Sequence, residues 1–161
     1  MAYAIRPYHG DDAPALAQLC LAAIRQIGPH SYSRKQVEAW AARHPGARLY
    51  RERIADGAVI FVAADDQGQA AAYILIEPDG HVDRLYNHPQ HTRRGLAARL
   101  LLQAEAHALS QKIPRLYTEA SELARPCFER SGFTVTCRRN FEIAYEGKNV
   151  PIHNYAMEKP L

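Results

Sequence analysis

The chain has 161 residues, of which 47% are hydrophobic and 23% charged, and its formal net charge is +3. These values are ordinary for a globular protein, and no apolar run approaches the ~20 residues of a membrane span. The charge is too small to indicate nucleic-acid binding by itself. We therefore expect one soluble, cytoplasmic domain over residues 1–161, with neither nucleic acid nor a membrane as partner.

Hydrophobic periodicity and turn residues divide the first half of the chain into six elements. They are strands at 3–8, 58–64, 71–77 and 81–87, and helices at 11–28 and 33–44. The second helix begins at a capping box, Ser33 to Gln36, and ends before Pro45-Gly46. The last three strands, joined by short turns, predict an antiparallel meander.

The second half contributes five further elements. They are helices from about 95 to 111 and at 121–132, and strands at 115–120, 133–145 and 150–158. The whole order predicts an α/β (α+β) fold, with a mixed, mostly antiparallel central sheet of about seven strands flanked by four helices on both faces.

The segment HPQHTRRGLAARLL, residues 88–101, places arginines at the start of the third helix. A helix N-terminus already carries unpaired N–H groups and the positive end of the dipole, so Arg93 and Arg94 would be unfavourable there without an anion. Gly95 lets a ligand approach the backbone closely. The segment predicts an anion-binding turn, and the alternative is a tight turn with solvated arginines.

The cysteines favour neither a disulfide framework nor a metal site. Cys20, Cys127 and Cys137 are odd in number and lack the spacing of zinc ligands. Buried free thiols are the simpler interpretation, and no metal is predicted.

Residues 71–135 resemble the GNAT superfamily of acetyl-CoA-dependent N-acetyltransferases. The family's loop pattern is Gln/Arg-x-x-Gly-x-Gly/Ala, and here Gly95 and Ala97 occupy its last two places while Thr92 occupies the first. The resemblance implies that backbone N–H groups hold the coenzyme A pyrophosphate and that the preceding strand separates from its neighbour to pair with the pantetheine arm. The residues implied are Leu85, Tyr86, Asn87, Arg93, Arg94, Gly95, Leu96, Ala97 and Ala98.

A second motif, SELARPCFERSGF, resembles the family's Asn-x-x-Ala-x-x-x-Tyr-x-x-x-Gly-Phe. Ser121 takes the Asn place and could still bond the pantetheine amide, whereas Phe128 takes the Tyr place. In many members that tyrosine protonates the departing thiolate, and a phenyl ring has no proton to give. Tyr155 is our favoured substitute.

Three further residues are candidates for acid/base chemistry. His81 and Asp83 lie two apart on one strand and so share a face, roughly 7 Å apart. Glu119 is a charge on a strand that should be central. The alternatives are an exposed, idle histidine and a carboxylate paired with Arg125. The substrate pocket is expected to include Tyr32, Tyr117 and His153.

The resemblance implies transfer of acetyl from acetyl-CoA, as co-substrate, to a small-molecule primary amine by direct attack in a ternary complex. A peptide N-terminus or a lysine is the alternative acceptor. A non-catalytic acyl-CoA-binding or sensor module is the rival interpretation, because of Thr92 and Phe128, and a thioesterase using Cys127 is a third. Either a monomer or a homodimer is compatible with the sequence.

Overall fold

The computed structural model describes residues 2–161, and its centre is a seven-stranded sheet in the order β1-β2-β3-β4-β5-β7-β6. The strands are β1 Ala4–Pro7, β2 Val59–Ala64, β3 Ala70–Ile76, β4 His81–Asn87, β5 Arg115–Ala120, β6 Thr134–Tyr145 and β7 Lys148–Pro160. Neighbours pair antiparallel except β4 and β5, which are parallel. The predicted fold class is confirmed.

Five α-helices cover the sheet, one more than the four predicted. They are α1 Ala13–Ile27, α2 Arg34–Ala42, α3 Arg48–Ala55, α4 Leu96–Ser110 and α5 Arg125–Arg130. The sequence analysis missed α3, which is only eight residues long and buries only Leu49 and Tyr50. So short an apolar stripe gives little helical periodicity. None of the helices in residues 2–161 is long and apolar enough to cross a bilayer.

The two faces of the sheet form two cores. Along β3, Tyr73 and Leu75 belong to the core under α1–α3, whereas Ile74 and Ile76 belong to the core under α4 and α5. All four are at most 1% exposed. This near-continuous apolar strand is covered on both sides, as its composition predicts.

Strands β4 and β5 pair only at the first two residues of β4, which lie opposite the middle of β5. His81 lies opposite Tyr117 and Val82 opposite Thr118, and no later pair forms along β4. Beyond Val82 the two strands diverge, and the space between them opens toward the end of β4 that leads to α4.

A β-bulge in β4 lies at the same point. Ile76 pairs with Val82 and Leu75 pairs with Arg84, so Asp83 is the additional residue. Asp83 lies 3.6 Å from Arg53 of α3, and Arg84 contacts Cys20 of α1. The bulge therefore turns two consecutive charged side chains toward the face covered by α1–α3.

Candidate active site

A cleft of about 570 Å³ occupies the space between the diverging strands. One wall, on the α5 side, includes Ser121, Ala124 and Phe128. The other wall comes from α1–α3 and the β6–β7 hairpin. The volume of the cleft is in the range of small-molecule sites.

Two carboxylates lie where the strands diverge. Asp83 directly follows Val82 on β4, and Glu119 directly follows Thr118 on β5, so each comes one residue after the last paired position. Both line the cleft. The structure thus brings together two of the predicted catalytic residues at the closed end of the cleft.

His81 connects Glu119 to a third carboxylate. Its Nε2 lies 2.9 Å from Glu119 Oε1, and its Nδ1 lies 2.6 Å from Glu77 Oε1. Burial alone would lower the pKa of His81, but the hydrogen bonds to Glu119 and Glu77 raise it to about 9. The bond from His81 in turn lowers the pKa of Glu119. Near neutral pH, His81 is therefore an imidazolium that donates to both carboxylates.

The hydrogen-bonded groups around His81 also include a candidate set of metal ligands. Glu77, His81 and Asp83 place ligand atoms within 4.8 Å of one another. Both ring nitrogens of His81, however, are engaged by carboxylates.

The raised pKa of His81 predicts a pH-dependent stability. Because the folded-state pKa of about 9 exceeds the ordinary 6.5, the stabilisation is complete below about pH 6.5 and is lost as pH rises through about 9. Glu77 and Glu119 are about one third exposed and therefore screened, so we expect a loss on the order of 1 kcal/mol. Urea unfolding of wild type and His81→Gln at about pH 6 and about pH 9.5 measures it. An equal loss in both proteins would contradict the prediction.

Arginines surround Asp83 on the other side. Arg53 Nη1 and Arg84 Nε each lie 3.6 Å from Asp83 Oδ2. The sequence analysis missed these arginines and Glu77. Arg84 carried a usable signal, since a charge within an apolar strand is as unusual as that of Asp83.

The turn before α4 follows the end of β4, toward which the cleft opens, and residues 92–98 are not among the described residues that line the cleft. Arg93 and Gly95 both have positive φ, 60° and 72°, and Gly95 is the N-cap. The first bond of the helix runs from Arg99 N–H to the Gly95 carbonyl, and no side chain caps the start. The N–H groups of residues 96–98 are therefore free to bind a ligand.

Residues at this turn differ in exposure. Arg93, Arg94, Gly95 and Ala98 are exposed, Ala97 is half-buried, and the Leu96 side chain is fully buried in the core. Leu96 can thus contribute only its backbone to an anion. A Cβ on Gly95 would have nothing within 4 Å, so the space in front of the turn is open.

We expect Arg94→Ala to weaken acetyl-CoA binding about 10- to 150-fold, the equivalent of ~1.5–3 kcal/mol for one charge-assisted contact. Titration calorimetry measures the affinity, and Arg48→Ala is the control because Arg48 is an exposed helical arginine paired with Glu52. Equal affinity in both variants would mean that Arg94 is only a solvated surface residue.

Of the residues predicted to bind the pantetheine arm, most but not all line the cleft. Leu85, Tyr86, Ser121 and Phe128 line the cleft, but Asn87 is not among the described residues that do. Phe128 is 2% exposed and packs on Phe133.

Of the three predicted pocket residues, two line the cleft. Tyr32 and His153 do so, but the Tyr32 hydroxyl donates to the His153 carbonyl and accepts from the N–H of Glu122. Tyr117 instead stacks on His81, with ring centroids 4.8 Å apart, and donates to Asp79. It supports the chain of ionisable groups rather than the pocket.

Tyr155 lies on the face of the sheet covered by α4 and α5. It pairs with Ala120 and packs against the core under α4 and α5, with the Arg125 guanidinium 4.5 Å above its ring. It is not among the described residues that line the cleft. The neighbouring Glu122 carboxylate raises the pKa of Tyr155. The ring centroid of Tyr155 lies 5.6 Å from that of the cleft-lining His153, and its role as proton donor to the departing thiolate stays a prediction.

Comparison with known proteins places the chain among acetyltransferases. The family description "Acetyltransferase (GNAT) domain" matches residues 29–159. YafP of Escherichia coli K12, an uncharacterized N-acetyltransferase, is 30% identical over 138 residues, which are 86% of this chain and 85% of that protein.

Solved structures share the fold. A GCN5-related N-acetyltransferase from Rhodopseudomonas palustris superposes with a TM-score of 0.87 at 28% identity, covering 100% of this chain and 97% of that one. The PaiA N-acetyltransferase of Thermoplasma acidophilum, solved with coenzyme A, gives 0.78 at 18% identity, with full coverage of both chains.

These matches confirm the resemblance seen in the loop and helix motifs, and with it the predicted enzyme class. The chain belongs to the GNAT family of acetyl-CoA-dependent N-acetyltransferases.

Proposed function

We propose that this enzyme transfers an acetyl group to the primary amine of a small molecule by direct attack within a ternary complex. The observation that carries the proposal is the divergence of β4 and β5, with Asp83 and Glu119 placed immediately after the last paired residues. An amine entering from the α1–α3 side would meet two carboxylates at the closed end of the cleft.

Acetyl-CoA would occupy the cleft from its open end. The free N–H groups at the start of α4, flanked by Arg93 and Arg94, suit the pyrophosphate, and the open space at Gly95 leaves room for it. Ser121 and Phe128 on the α5 side would then flank the pantetheine arm. PaiA, which has the same fold, was solved with coenzyme A.

The chemistry requires the amine to lose a proton before it attacks. An ammonium bound by Asp83 and Glu119 would pass that proton to a carboxylate, directly or through water. The imidazolium of His81 would hold the Glu119 carboxylate in position, so His81 is a positioning residue in this scheme. The neutral nitrogen then bonds to the carbonyl carbon, the carbon–sulfur bond breaks, and the nitrogen loses its second proton to solvent or to the departing thiolate.

The departing thiolate needs little help from the protein. A thiol has a reference pKa near ~8.5, so the thiolate is a competent leaving group and can take its proton from solvent. Phe128 has no proton to donate, and Tyr155 lies outside the cleft lining. The proposal therefore gives Tyr155 at most a minor effect on turnover.

The Cys127 thioesterase has less support than acyl transfer to an amine. Burial raises the pKa of the Cys127 thiol, which disfavours the nucleophilic thiolate. Cys127→Ala with intact activity would exclude this alternative.

Thiol release from acetyl-CoA, measured with small amines, aromatic amines, peptide N-termini and lysine peptides, tests the proposal. Small amines should be the best acceptors, and initial rates varied in both substrates should give intersecting lines. Parallel lines would indicate a covalent enzyme intermediate instead. Binding of acetyl-CoA without turnover of any amine would favour the non-catalytic module.

A further inference from the structure

We propose that the acceptor amine carries a carboxylate close to its amino group, as in an α-amino acid, and that Arg84 binds that carboxylate. The inference rests on the proposed function and specifies its substrate class. It comes from the surroundings of Arg84 rather than from the acetyl-CoA motifs.

Arg84 is a cation at the cleft wall with almost no partners. Its side chain is 19% exposed and lines the cleft. Within residues 2–161 its one hydrogen-bonded acceptor is the Cys20 sulfur, 3.6 Å from Nη1, and its Nε has none. A guanidinium has five N–H donors, so most of the hydrogen-bonding capacity is unused.

Apart from Asp83, the titratable groups around Arg84 are neutral near pH 7. Burial raises the pKa of the phenols of Tyr73 and Tyr86 and of the Cys20 thiol, so all three stay protonated. Burial and the nearby Arg84 lower the pKa of His44 to about 4. None of them neutralises the guanidinium near pH 7.

Asp83 is the nearest carboxylate, but it does not satisfy Arg84. Its Oδ2 lies 3.6 Å from both Arg84 and Arg53 and has no hydrogen-bond partner among the described residues. A largely buried cation without a hydrogen-bonded anion is costly. A ligand carboxylate could bind the two Nη groups through two parallel hydrogen bonds and reduce that cost, whereas Nε is fully buried and stays beside Asp83.

The short distance between Asp83 and Arg84 sets the spacing within the ligand. An ammonium held by Asp83 and Glu119 would lie next to an anion held by Arg84, which suits an amine and a carboxylate separated by one or two carbons. Arg43, Arg53 and Arg139 line the same cleft. This positive field favours an anionic acceptor and opposes a polyamine.

Matched substrates test the inference. We would compare kcat/KM, expressed per neutral amine, for a panel of L-amino acids and the carboxamide of each. For the best pair, kcat/KM for the acid should exceed kcat/KM for its amide by about 10- to 150-fold, which corresponds to one charge-assisted contact.

Variants of Arg84 connect the preference to this residue. In Arg84→Met, of similar length, the ratio of acid to amide should fall toward one, mainly through KM for the acid. Arg48→Ala, on the surface of α3, should keep the wild-type ratio. Acetyl-CoA affinity by calorimetry shows whether each variant is folded, and Arg84→Lys, which keeps the charge but not the paired geometry, should lower the ratio if the methionine variant does not fold.

The outcomes separate this inference from the proposed function. Amides turned over as well as acids would overturn the anionic acceptor while leaving acetyl transfer to amines intact. A wild-type ratio in the folded Arg84 variant would overturn the role of Arg84. No turnover with any amine would overturn both the proposed function and this inference.

Discussion

Glu119→Gln is expected to lower turnover about 10²- to 10⁴-fold, the contribution of a general base, with little effect on acetyl-CoA affinity. Glutamine keeps the shape of the side chain, and its amide oxygen can still accept from His81 Nε2, but it cannot accept the amine proton and it carries no negative charge. The rate should be measured against pH with one amine acceptor. Asp83→Asn should produce the same loss if Asp83 is the base instead.

Glu122→Gln is the matched control, because Glu122 also pairs with a histidine, at 2.6 Å from His153 Nε2, but does not line the cleft. It should retain turnover close to that of wild type, and Tyr155→Phe should cost much less than the carboxylate variants. If Asp83→Asn and Glu119→Gln both keep the wild-type rate and pH profile, the protein supplies only positioning and neither carboxylate is the base.

Gly95→Glu is expected to abolish detectable acetyl-CoA binding while the protein stays folded. The new side chain would occupy the open space before α4 and bring a negative charge to the site proposed for the pyrophosphate. At φ 72° a non-glycine residue costs about 1–2 kcal/mol, which most domains tolerate. Calorimetry measures the affinity for acetyl-CoA, and urea unfolding shows whether the variant is folded and gives its free energy of unfolding.

Gly147→Glu is a close control for this variant. Gly147 has φ 73°, and a Cβ there would also have nothing within 4 Å, but it lies in the turn between β6 and β7. The two variants therefore share the backbone strain and the added charge and differ only in location. Equal binding by both would show that the turn before α4 does not hold the phosphates.

Most of the fold could be predicted because β2 and β3 are continuous apolar strands and turn residues separate most of the elements. Helix α3 could not, because its eight residues bury two side chains and its remaining surface is charged. The predicted turn at residues 146–149 is also shorter in the structure, where β6 ends at Tyr145 and β7 begins at Lys148.

The site was less predictable because it depends on register. A strict alternation places His81 and Asp83 on one face, but the bulge adds Arg84 to that face, and nothing local in the sequence marks a bulge there. The same dependence on register determines the face of the sheet on which Tyr155 lies. Its side depends on the pairing of β7 with β5, where Ala120 faces Tyr155 and Glu119 faces Ala156, and a shift of one residue would reverse it.

The brief pairing of β4 with β5 also affects how the molecule unfolds. Two register pairs join strands β1–β4 to strands β5–β7, so the ladder offers little cooperativity across this junction, and amide exchange by local opening should be fastest there. Acetyl-CoA bound between β4 and β5 would contact both strands and stabilise the junction for as long as it stays bound. At a hundred times its Kd, a ligand that binds only the native state adds about 2.7 kcal/mol, so amide exchange at this junction should be slower in the bound enzyme than in the free enzyme.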